Sequence, residues 1–139
     1  STLFPYTTLF RSGYLADRLG ELGRGLAGFS EEIGPQMWRD TVVVVISEFG
    51  RTFRENGDRG TDHGHGSVYW VMGGGINGGR MAGEQVQVAQ ATLFQNRDFP
   101  VLTDYKAFFA GLIQHVYGLQ QASLERIFTG IKPKDLNLV

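Results

Sequence analysis

Cysteine is absent from this 139-residue chain. Disulfides and thiolate metal sites are therefore excluded, and any metal must take oxygen and imidazole ligands. A charge bias is lacking too. Thirteen Lys and Arg stand against 14 Asp and Glu, giving a formal net charge of −1, with no basic tract. That balance removes the electrostatic case for nucleic acid or an anionic membrane as partner. No stretch approaches the roughly 20 apolar residues of a membrane-spanning helix. There is no internal repeat. Against these absences stand 20 glycines, which mark many tight turns, and a hydrophobic fraction of 42% that suffices for one packed core.

Residues 2–12, Thr-Leu-Phe-Pro-Tyr-Thr-Thr-Leu-Phe-Arg-Ser, match one reading-frame translation of a short-read sequencing adapter residue for residue. They lack the basic start and apolar core of a signal peptide. The expectation is an artefactual segment over residues 1–12, fused to a truncated gene whose natural product extends further N-terminally. A real strand or arm is the alternative, since Phe, Tyr and Thr are good strand formers.

Beyond this stretch, Leu15, Leu19, Leu22, Leu26, Phe29, Ile33 and Met37 recur at steps of three or four and predict a helix. Its glycines weaken it or mark close packing against a sheet, and Gly34-Pro35 ends or kinks it. The β-branched run at residues 41–46 does not alternate, which predicts a strand buried on both faces, as in the centre of a parallel sheet. Residues 51–66 read as loop and 67–72 as the next strand. Gly73-Gly74-Gly75 and Gly78-Gly79 lack the G-K-[ST] ending of a phosphate-binding loop. They predict a turn, with residues 80–88 returning as a hairpin or edge strand. Residues 98–102 are a short extended piece. Thr103 or Asp104 caps a second helix whose stripe runs from Tyr105 to Val116 and stops at Gly118. One further helical turn near residues 124–128 and a trailing tail complete the chain. The order helix, buried strand, loop, strand, helix predicts a three-layer α/β arrangement.

Two polar clusters carry the chemistry. Glu48 follows the buried strand at the sheet edge where α/β proteins bind ligands. It reads as metal ligand or general base, or as the ion-pair partner of Arg51 or Arg54. Asp62, His63 and His65 lie in the glycine-flanked run Gly60-Thr61-Asp62-His63-Gly64-His65-Gly66. In extended backbone, residues two apart point the same way, so the two imidazoles could grip one ion. Asp62 could be a ligand or could orient an imidazole. Such donors suit Zn, Mn, Fe or Ni better than Mg or Ca. Solvated loop residues, with Asp62 capping a turn, are the plainer reading. Arg51 and Arg59 bracket the loop, and an Arg there can fork onto phosphate or sulfate oxygens. His115 reads as a packed or rim residue. Ser47 and Thr52 are nucleophiles by type but show no adjacent base.

The sequence Ser47-Glu48-Phe49-Gly50-Arg51-Thr52, with Gly60-Thr61-Asp62-His63-Gly64-His65-Gly66 and Met72-Gly73-Gly74-Gly75-Ile76-Asn77-Gly78-Gly79-Arg80, resembles the bacterial family catalogued as domain of unknown function 1501. That family is similar to the alkaline-phosphatase and sulfatase superfamily. The resemblance implies an alkaline-phosphatase-like three-layer α/β fold with flanking helices, of which residues 13–139 would be the C-terminal part. It implies export, hence a periplasmic or extracellular location. It further implies a site derived from a two-metal hydrolase of phosphate or sulfate esters. The substrate would be a small anionic ester and the cofactor a divalent metal, zinc or manganese. Under it Glu48, Asp62 and His63 are metal ligands, with His65 added from spacing, and Arg51 binds substrate. The nucleophile is expected upstream, so the fragment should be inactive. Phe49 departs from the superfamily pattern, which tends to place His after the acid. That departure favours a second reading, an exported binding or scaffold protein that retains the fold without turnover. A plain α/β fragment with polar loops is the third.

Overall fold

The computed structural model describes residues 14–139, so the adapter-like stretch lies outside the described residues. The chain divides into two compact units, Ser1–Thr41 and Val42–Val139.

In the first unit the predicted helix forms as α1, Tyr14–Arg39. Gly34 interrupts it with φ 74° and ψ 168°, just before Pro35. Proline disfavours helical angles in the preceding residue, and glycine tolerates the positive φ that results. Past the break, Trp38 returns to meet Phe29 edge to face, with ring centroids 6.5 Å apart. Within this unit the glycines have open surroundings. A Cβ added at Gly23, Gly25 or Gly28 would meet no described atom within 4 Å.

The second unit is mixed α/β with small antiparallel sheets. β1 (Val43–Val45) pairs with β4 (Trp70–Met72), in the register Val43 to Met72, Val44 to Val71 and Val45 to Trp70. β2 (Gly50–Arg51) pairs with β3 (His63–Gly64). The parallel expectation for the valine run is corrected: its partner is antiparallel, and the three valines are half-buried. The run does not alternate because all three valines share the same intermediate burial. Residues 80–88 contain no strand, and of residues 67–72 only β4 pairs.

The apolar core belongs to α2, Tyr105–Tyr117, and α3, Gln121–Ile127. Asp104 caps α2 by accepting from the Lys106 N–H at 2.7 Å, and Gly118 ends it in the left-handed region at φ 61°. Both were readable as local chemistry. Phe108, Ala110, Leu112 and Leu124 are buried, and Tyr69 meets Phe108 edge-on at 5.7 Å. The supposed tail is bound. Lys134 N–H donates to the Ala107 carbonyl at 2.8 Å, and the Lys134 carbonyl lies so close to Gly111 that a Cβ there would collide with it. Asn77 N–H donates to the Leu138 carbonyl at 2.7 Å, and Arg80 Nη2 to that of Leu136 at 3.0 Å.

Candidate functional site

Site geometry starts at the buried Thr52, one residue beyond β2. Its N–H donates to the Asp62 carbonyl and its hydroxyl accepts from the Asp62 N–H, both at 3.0 Å. These bonds tie the end of the Glu48 segment to the start of the histidine loop. Between them, residues 53–60 turn on Asn56, whose Oδ1 accepts from the N–H groups of Asp58 and Gly60.

A third strand-like segment then crosses the pair. Gln95 and Asn96 have φ of 49° and 56°, and Arg97 N–H donates to the Phe94 carbonyl at 3.0 Å. Successive positive φ values are those of a tight reversing turn, and Asn tolerates them. The reversal places Asp98 opposite both Phe94 and Thr52. Gly66 N–H then donates to the Phe99 carbonyl at 2.8 Å. The glycines around the histidines serve this crossing. A Cβ on Gly64 would lie 2.8 Å from the Asp98 Cβ, and one on Gly66 would lie 2.6 Å from the Phe99 carbonyl oxygen. Backbone can approach that closely only where no side chain intervenes.

The predicted site residues have separate fates. Arg51 donates from Nε to the Thr61 hydroxyl at 3.0 Å and from Nη2 to the Thr61 carbonyl at 2.5 Å, stapling the loop. Asp62 accepts from Asn56 Nδ2 at 2.9 Å. His63 stacks on Phe49, with centroids 3.8 Å apart and planes 25° apart. Glu48 is exposed and forms no ion pair with Arg51 or Arg54 among the described residues. His65 turns to Asp98: its backbone N–H lies 2.6 Å and its Nδ1 2.8 Å from Asp98 Oδ2. The ring stands edge-on to Phe94 at 4.7 Å. His115, read as a packed or rim residue, is exposed with Nδ1 3.9 Å from Asp135 Oδ1. Among the described residues no three His, Asp or Glu side chains gather into a group that could hold a metal ion.

Glu48 and His65 do share a cavity of about 610 Å³. Ser47, Trp70, Arg80 and Tyr105 also line it, whereas Arg51, Asp62 and His63 do not.

Asp98 is the functional candidate that sequence reasoning missed. Its side chain is fully buried, yet Oδ1 accepts no hydrogen bond, its nearest cation being Arg97 Nε at 3.8 Å. Burial pushes its pKa up. The His65 N–H, the His65 ring and the Arg97 charge together outweigh that and hold it below the ordinary carboxylate value. Nothing local in Arg97-Asp98-Phe99-Pro100 marks a carboxylate whose partner lies 33 positions away.

The sequence model of a family described as "Protein of unknown function (DUF1501)" matches residues 12–128. No curated protein and no solved structure matches.

Proposed function

This chain belongs to the DUF1501 family, and from that premise and the chemistry of the cavity we propose that it is part of a hydrolase of phosphate or sulfate esters. The whole fold would be the three-layer α/β arrangement of alkaline phosphatases and sulfatases. One observation carries the reading. The residues leaving β1, Ser47 and Glu48, and His65 of the glycine-flanked loop line a single cavity with Arg80. Its volume suits a small ester. Arg80 is the cation at this rim, held by carbonyls through Nε and Nη2, while its Nη1 makes no hydrogen bond among the described residues. It is better placed than Arg51 to meet an anionic oxygen.

The two-metal centre implied by the resemblance does not fit the described residues by themselves. Asp62 and His63 are engaged away from the cavity that Glu48 and His65 share. The chemistry assigned to these residues is therefore binding and orienting the ester. The test is hydrolysis of para-nitrophenyl phosphate and para-nitrophenyl sulfate by the product of the intact gene, upstream segment included, with and without added Zn²⁺ or Mn²⁺. Turnover of one ester is expected, with KM raised about tenfold by Arg80→Ala, the equivalent of about 1.4 kcal/mol. No turnover of either ester under any condition would remove the reading.

A second reading, an exported binding or scaffold protein without turnover, draws support from Phe49. Its ring covers one face of His63. Binding of either ester without hydrolysis would favour it.

A further inference from the structure

We infer that His65 and Asp98 form a proton-transfer dyad at the cavity wall, Asp98 positioning the imidazole so that His65 Nε2 takes the proton of a water attacking the bound ester. The inference rests on the hydrolase reading for its substrate, and on geometry for the dyad. The fully buried Asp98 carboxylate already accepts the His65 backbone N–H through Oδ2 and so meets the ring as an acceptor. The Nδ1 that lies 2.8 Å from it must therefore carry the hydrogen. That tautomer leaves the lone pair on Nε2. Among the described residues Nε2 has no hydrogen-bond partner, the side chain is 54% exposed, and His65 is one of the residues lining the cavity. Ring orientation is fixed twice more, by the backbone bond from His65 to the same carboxylate oxygen and by the edge contact with Phe94. A half-exposed histidine without a role would need none of this. A buried carboxylate that orients an imidazole is how general bases are held in place.

The charged groups near the dyad are Arg97, 3.8 Å from Asp98, and Glu48, Arg80 and Glu84, which line the same cavity as His65. The step balances without another reactant. Water oxygen bonds to phosphorus or sulfur as the bond from that atom to the alcohol oxygen breaks. One water proton passes to Nε2 and then to the departing oxygen. The products are the free oxyanion and the alcohol, and the imidazole ends neutral.

The dyad is tested apart from turnover by diethyl pyrocarbonate, which acylates imidazole at an available lone pair, with the three histidines told apart by mass spectrometry. His65 is expected to react at least several-fold faster than His63 and His115, and ¹⁵N spectra should show its Nδ1–H tautomer. Asp98→Asn should abolish the rate advantage and mix the tautomers, while its amide oxygen still accepts from the His65 N–H. If that variant fails to fold, His65→Gln leaves the buried carboxylate and the backbone bond in place. In ester hydrolysis His65→Gln should lower kcat by 10²-fold or more with KM little changed, as for loss of a general base. An Nε2–H tautomer, equal acylation of all three histidines, or wild-type kcat in folded His65→Gln would overturn the dyad. A dyad that passes the acylation and tautomer tests while the product of the intact gene hydrolyses neither ester would sink the hydrolase reading instead.

Discussion

The two antiparallel ribbons of the second unit are held by opposite means. In β1 with β4, valines, a methionine and a tryptophan pair across three positions and stay only half-buried, with Trp70 exposed. In β2 with β3, two pairs suffice because a third segment crosses them through glycine and a buried Asp. The first ribbon tolerates change in the way apolar surface does, by degrees. In the second, the closest approaches are of backbone to backbone or to the buried Asp98, so small changes there cost much.

The largest expected effect therefore falls on a glycine. Gly50→Ala drives a Cβ into the Gly66 carbonyl, backbone that cannot swing aside. A loss of about 3 kcal/mol is expected in chemical denaturation, at the upper end for overpacking. Near-wild-type stability would mean the ribbon is looser than described. Next comes Asp98→Asn, whose signature is pH dependence. The folded carboxylate has a lowered pKa. Its stabilising contribution is thus present above the unfolded value near 3.9 and is lost as pH falls through the folded value. The wild type should lose stability along that acid limb, and the Asn variant should show a flatter one in denaturation midpoints measured from pH 7 to pH 2. Third is Val44→Ala in the valine ribbon, expected to cost about 1 kcal/mol for a half-buried side chain. A cost as large as that of Gly50→Ala would erase the contrast. Smallest is Arg51→Ala, which removes exposed bonds to Thr61. About 0.5 kcal/mol is expected, as for surface changes generally. Ester KM should stay unchanged, and a raised KM would return Arg51 to the substrate.

What the sequence made legible follows the same division. The Asp104 cap, the Gly118 stop and the break at Gly34-Pro35 are all decided within a few residues, and all were readable. The valine run was readable as a strand, but not its direction, because pairing joins residues 27 positions apart, as with Val44 and Val71. The spacing of His63 and His65 suggested one shared ion. Their rings found different partners instead, Phe49 for one and Asp98 for the other. The tail escaped notice because it is held mainly through main-chain carbonyls and N–H groups, which every residue has and no composition advertises. The glycines of the histidine loop were noticed as turn residues. Their task of admitting a crossing segment depends on Asp98 and Phe99, which lie more than thirty positions on.

Trp70 carries a consequence of another kind. The chain has two tryptophans, one in α1 and this one, paired with Val45 on the cavity wall and partly open to water. In a Trp38→Phe background the indole at position 70 is a built-in optical reporter. A small ester entering the cavity should displace water from that ring and alter its emission, giving a titration curve with no label and no turnover required.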